Sequence, residues 1–90
     1  MAATRYQAPP GSLLVRALDD LTAVYHRPSG ATHLLASPAP EILAALDGVA
    51  MTADALMLVL AVRYDLADAD PVALAARLDE LVAAGLIVAA

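Results

Sequence analysis

No cysteine, lysine, phenylalanine or tryptophan occurs in this 90-residue chain. The missing cysteine excludes disulfides, thiolate metal sites and cysteine nucleophiles. With only three tyrosines as aromatics, the core has to be Leu, Val, Ile and Ala packed mainly between helices. The missing lysine bears on partners. Ten carboxylates oppose five arginines, a formal net charge of −5, and Arg5, Arg16, Arg27, Arg63 and Arg77 are scattered along the chain. Gripping a phosphate backbone takes clustered cations that displace counterions, so nucleic acid is not an expected partner. No run reaches the roughly 18 consecutive apolar residues of a membrane span; Ala55–Val62 and Leu81–Ala90 are too short. The start also lacks a basic region followed by an apolar one. No membrane contact is expected, and the cytosol is the expected compartment.

What the chain does have is a specific stretch at Val24–Leu35, VYHRPSGATHLL. Two apolar runs flank Pro28-Ser29-Gly30-Ala31, which is hairpin chemistry. Proline presets φ at the first turn position, and glycine accepts the left-handed conformation that closes a bulged turn. Val, Tyr and Thr on either side suit a pleated, half-buried surface. With Arg27 and Ala31 closing the turn, Val24 faces Leu34 and Tyr25 faces His33. A four-residue loop moves each pairing by one.

Ahead of the hairpin, Met1–Ser12 carries two prolines, a glycine and no periodicity, and reads as a flexible or extended arm. The domain proper is then expected over residues 13–90. Leu13–Leu18 alternates loosely as a first strand, Asp19-Asp20 turns the chain, and Leu21–Arg27 and Thr32–Ala36 complete a three-stranded antiparallel meander. The connections are too short for parallel crossovers. At Ser37 the period changes. Ser37 is positioned to cap a helix with Pro38 in its first position and Glu41 near its positive end. Ile42, Leu43, Leu46 and Val49 form its stripe, and Gly48 stops it. Thr52 caps a second helix with Asp54 in its first turn. Leu56–Val62 is apolar on almost every face, so this helix is expected at the buried centre. After an acidic connection, Asp65–Asp70, a third helix begins at Asp70-Pro71. Its Leu74, Leu78, Leu81 and Val82 share a face, and Gly85 ends it. Leu86–Ala90 suits a short strand or a packed tail. Three strands followed by three helices make an α+β domain.

Catalytic and metal chemistry find little support. His26 and His33 lie near one hairpin, but no third ligand stands at a recognisable spacing, and zinc takes three or four. Asp65, Asp68 and Asp70 lack the glycine and the terminal bidentate glutamate of a calcium loop. Ser29 beside His26 and His33 suggests a nucleophile and base, yet a hairpin tip offers no orienting acid and no oxyanion site. There is no glycine-rich phosphate loop, and none of Ser12, Ser29 or Ser37 sits in the Asp-Ser-Leu setting of an acyl carrier. No catalytic residue, metal or cofactor is expected, and the chain does not read as an enzyme.

The hairpin, taken with Ile42-Leu43, Leu46, Asp47-Gly48 and Leu81–Leu86, resembles the PqqD family of peptide chaperones. It is most similar to the branch named for HPr-related systems, where a Tyr-His-x-x-Ser-Gly-x-Thr-His-Leu-Leu hairpin is typical. The resemblance covers about Leu13 to Ile87; the tryptophan that members often carry near the first strand is absent. It implies a winged helix-turn-helix-like domain that does not read DNA but recognises ribosomally made precursor peptides. A precursor's leader would add as a strand to the edge of the third strand, beside the third helix. The domain would then present the precursor to a modifying enzyme such as a radical maturase. An HPr-kinase-like protein is a further neighbour that this branch implies.

Strand addition needs an open edge, whose unpaired backbone groups supply most of the affinity. Thr32, His33, Leu34, Leu35 and Ala36 are the candidate edge. Arg77, Leu78, Leu81 and Ala84 are the candidate lining from the third helix. Arg77 stands out as a cation able to pair with a leader carboxylate, while Leu78 reads more readily as plain core. Two other readings remain open: a winged-helix regulator that contacts DNA through the third helix, and a subunit that binds a folded partner. Against the first, Val72–Ala84 sets one arginine against Asp79 and Glu80, where a recognition helix needs net positive charge. An open edge and an apolar tail also permit a strand-paired or swapped homodimer.

Overall fold

Two tight turns dictate how the first half folds. The structure is a computed structural model that describes residues 3–64 and 70–90. Strands β2 (Leu13–Leu18), β3 (Leu21–His26) and β4 (Ala31–Leu35) form an antiparallel sheet in the order β2-β3-β4. Asp19-Asp20 joins the first pair, with Leu18 opposite Leu21, and Arg27–Gly30 joins the second, with His26 opposite Ala31. The loop therefore has four residues, and Val24 faces His33 while Tyr25 faces Thr32.

This register assigns the two faces of the sheet, because successive side chains point to opposite sides. Thr22, Val24 and His26 share the inner face with Leu13, Val15 and Ala17 of β2 and with Ala31, His33 and Leu35 of β4. Val24 is fully buried there, with Leu13 and Leu35 packed partly against the core. The outer face carries Leu14, Arg16, Leu18, Leu21, Ala23, Tyr25, Thr32 and Leu34.

Three helices follow: α1 (Ala39–Leu46), α2 (Ala53–Tyr64) and α3 (Pro71–Ala83). The fold is thus α+β, a three-stranded antiparallel sheet and then three helices. α2 packs against both α1 and α3. Ile42, Leu43, Ala45 and Leu46 of α1 meet Leu56 and Leu60 of α2, Leu74, Leu78 and Leu81 of α3, and the following Leu86 and Ile87 in one core. No helix among the described residues is long and apolar enough to cross a membrane.

Local signals place two of the helix starts as expected. The Thr52 hydroxyl accepts the Ala55 N–H at 3.2 Å, and the Asp70 carboxylate accepts the Val72 N–H at 3.0 Å. The first helix departs from its expectation. It begins at Ala39 with Pro38 itself as the N-cap, and no side chain caps it. The Ser37 hydroxyl instead donates to the Glu41 carboxylate. Val49, expected on the α1 stripe, lies beyond the helix and is exposed.

α2 corrects a second expectation. It is not buried all round: Leu56 and Leu60 are buried, whereas Leu58 is 69% exposed and Val62 85%. A helix laid on one side of a small domain buries a single stripe and leaves the opposite one to solvent. The acidic connection expected at Asp65–Asp70 falls, except for Asp70, outside the described residues.

The N-terminal segment corrects a third. Arg5–Gln7 forms β1, the central strand of a second small sheet, flanked by β5 (Met51–Thr52) and β6 (Val88–Ala89). Arg5 pairs with Thr52 and Tyr6 with both Met51 and Ala89, in antiparallel register. Ala8 next to it is completely buried. Residues 5–8 therefore belong to the domain rather than to an arm, because three distant segments, residues 46–48, 51–52 and 88–90, supply their backbone partners. The same pairing resolves the tail: Val88-Ala89 is a strand, and Leu86-Ile87 anchors it in the core.

Candidate functional site

The candidate edge is β4, the border strand of the larger sheet. Its exposed polar groups follow from one bond. The Arg27 N–H donates to the Ser12 carbonyl at 2.8 Å, in line with the β2–β3 register. Bonded and non-bonded pairs alternate along an antiparallel ladder. Tyr25 and Ala23 consequently bond toward β2, and His26, Val24 and Thr22 toward β4. On β4, Ala31, His33 and Leu35 bond back to β3, while Thr32 and Leu34 turn their N–H and C=O groups away from the sheet. Among the described residues, no other backbone segment bonds to Thr32 or Leu34.

The side chains on this strand divide the same way. Thr32 and Leu34 stand on the outer face, Leu34 at 62% exposure, and His33 and Leu35 are half-buried on the inner one. Ala36 lies just past the strand, and its carbonyl accepts the Ala39 N–H at 3.1 Å. It is occupied by the turn into α1 and offers a guest strand less than its neighbours do.

On α3 the expected lining changes. Leu78 is fully buried and Leu81 nearly so, both within the core cluster with Leu74. Leucines at this helical spacing form the buried stripe that holds α3 in place, so they are packing residues rather than groove residues. Arg77 is half-exposed and already paired: its Nη2 lies 3.0 Å from Glu80 Oε1, one turn on. Such an exposed pair contributes little stability and exchanges readily. Ala84 is the exposed C-cap of α3, its N–H bonded to the Glu80 carbonyl at 2.9 Å. α3 packs principally on α2 and β4 on β3, with no extensive contact between β4 and α3. The structure thus brings the edge residues together on one strand and sets Arg77 on a helix that packs principally on α2.

The hairpin tip explains its own polar residues. The Ser29 Oγ and the His26 Nδ1 share a hydrogen bond of 2.7 Å, and the same Oγ accepts the Ala31 N–H at 3.2 Å. Both bonds close the turn. No group of three His, Cys, Asp or Glu side chains able to hold a metal occurs among the described residues.

One surface was not anticipated from the sequence. On the outer face of the sheet, Leu14, Leu18, Leu21, Tyr25 and Leu34 are all exposed, set around the half-buried Ala23. The available signal was Leu13–Leu18, LLVRAL, which is apolar at both parities instead of alternating cleanly. A smaller open apolar hollow lies on α2 between Leu58, Val59, Val62 and Arg63.

No family model matches the chain, and neither the curated proteins nor the solved structures contain a match to it.

Proposed function

We propose that this domain is a peptide-recognition module that captures the leader of a ribosomally made precursor by strand addition to β4 and presents it to a modifying enzyme. The observation that carries this reading is the open border of β4, where Thr32 and Leu34 direct their backbone groups outward and, among the described residues, no other backbone segment bonds to them. A guest strand bonding there would set its side chains against Leu34 on the outer face and Leu35 on the inner one, and alternate side chains give such complexes their specificity. Arg77 enters only by leaving Glu80 for a leader carboxylate. In this reading the chain works in the cytosol, holds no cofactor and performs no chemistry itself; that falls to a maturase. The DNA-regulator alternative is weakened by Asp79 and Glu80 on α3, and its one arginine is already paired with Glu80. The outer apolar face favours, as a second reading, a folded protein partner resting on the sheet.

Leu34→Pro separates binding from folding. Its N–H faces outward, so proline removes a donor to the guest without breaking the β3–β4 ladder, as edge prolines do. A synthetic leader, taken from a short precursor encoded beside this protein, is titrated into the isotope-labelled domain. Amide shifts are expected to be largest over Thr32–Leu35. Leu34→Pro should weaken binding at least tenfold while leaving the thermal melt nearly in place. Shifts confined to residues 38–64, with full-strength binding by Leu34→Pro, would overturn the proposal.

A further inference from the structure

The larger sheet has a second border, β2, and it is the longer of the two. By the alternation set by the Arg27–Ser12 bond, Leu14, Arg16 and Leu18 bond to β3. Leu13, Val15 and Ala17 therefore face outward, three consecutive outward positions against two on β4. No other backbone segment bonds to them among the described residues. Edge strands are normally blunted by lysine, proline, a bulge or a cover. β2 has only Arg16, and its register with β3 runs unbroken from Leu13 to Leu18. Val15 adds a second anomaly: it lies on the inner face beside the buried Val24, yet it is 59% exposed. The core-side surface of β2 ends before it is covered.

We infer that β2 is the interface between two copies of this chain, paired antiparallel about a two-fold axis through Val15. The geometry is self-complementary. With Val15 opposite Val15 of the second copy, Leu13 meets Ala17, and all three outward positions of each strand find partners in one ladder. The result is a six-stranded sheet with a β4 border free at each end. On the outer face Leu14 of one copy meets Arg16 of the other, whose aliphatic stem covers it while the guanidinium stays in water. On the inner face the two Val15 side chains cover each other.

Charge fits the same arrangement. β2 carries no carboxylate, but the Asp19-Asp20 turn follows one end of it, and Arg27 stands beside Ser12 at the other. Antiparallel pairing sets the acidic turn of each copy beside Pro10-Gly11 of its mate, next to the Ser12 that bonds that mate's Arg27. A parallel arrangement would instead put the two acidic turns side by side. The interface is small for a stable complex, so the dimer is weak and concentration-dependent.

The absence of native cysteine makes the test direct. Facing residues of a bonded antiparallel pair lie about 5.5 Å apart between Cα atoms, within the roughly 4.4–6.8 Å that a disulfide bridges. Val15→Cys should cross-link into a covalent dimer under mild oxidation. Ala17→Cys should not, since in this register the two copies of position 17 lie about 14 Å apart along the strands. Sedimentation of the wild-type chain should move from one to two chain masses as concentration rises, and Val15→Pro, which removes only an outward N–H, should stay at one mass with an unchanged far-ultraviolet spectrum. A wild-type chain that remains at one mass throughout, equal cross-linking at positions 15 and 17, or a dimer that survives Val15→Pro would each overturn the inference.

Discussion

Gly30 is held at φ +73°, its N–H bonded to the His26 carbonyl at 2.8 Å. An added Cβ would meet only the Tyr25 hydroxyl, at 3.9 Å. Space is therefore not what requires glycine; the left-handed backbone is. A β-branched side chain there is strained by sterics with its own backbone, so Gly30→Val should destabilise the domain by about 1–2 kcal/mol. The midpoint of urea unfolding should fall accordingly, with an unchanged slope. An unmoved midpoint would mean that the turn relaxes at no cost. The glycine was legible because Pro-Ser-Gly between two β-prone runs admits few conformations. The loop length was not: three- and four-residue loops suit the same residues, and the bonds from Ser29 to His26 and Ala31 belong to the longer one.

Among the elements, helix starts were legible where a single side chain decides them. Thr52 and Asp70 each present an oxygen to a backbone N–H a few residues on, and that geometry needs no tertiary partner. Ser37 looked equivalent and is not, because Pro40 has no N–H to offer a cap and the Ala39 N–H bonds to the Ala36 carbonyl instead. The contrast can be measured. Asp70→Ala should cost about 1 kcal/mol by orphaning the Val72 N–H. Ser37→Ala, losing only an exposed side-chain pair with Glu41, should stay within about 0.5 kcal/mol. Equal losses at the two sites would show that Ser37 caps after all. α2 departs from its expected burial for a different reason. Leu56–Val62 is apolar on every face, and composition alone cannot say which face a ninety-residue chain has enough partners to cover. The exposed Leu58 and Val62 are the answer.

At the scale of the whole molecule, the candidate site was half legible. Strand order follows from short connections, so a border at β4 could be read from the sequence; the placement of α3 relative to it depends on packing of leucines that look alike on paper. The N-terminal strand was the least legible part, because its partners lie far along the chain, at Met51–Thr52 and Val88–Ala89. Nothing in Arg5-Tyr6-Gln7 announces them locally. This strand is the tie between the two ends of the domain. The Arg5 N–H donates to the Ala90 carbonyl at 2.9 Å and the Ala90 N–H returns to Arg5 at 2.8 Å. The Ala8 N–H donates to the Leu46 carbonyl at 2.9 Å, and its own carbonyl accepts the Gly48 N–H at 2.8 Å. Deleting residues 1–8 removes these four bonds together with the buried Ala8 side chain. At about 1 kcal/mol net for each backbone bond, these four alone account for about 4 kcal/mol, and the ladder bonds of β1 to β5 and β6 are lost with them. Small domains are stable by only about 5–15 kcal/mol, so the truncated chain should sit near the edge of folding. Its urea midpoint should fall sharply, and hydrogen exchange should accelerate first at Val88–Ala90 and at Gly48, whose partners are gone. If the eight residues were an arm, neither quantity would move.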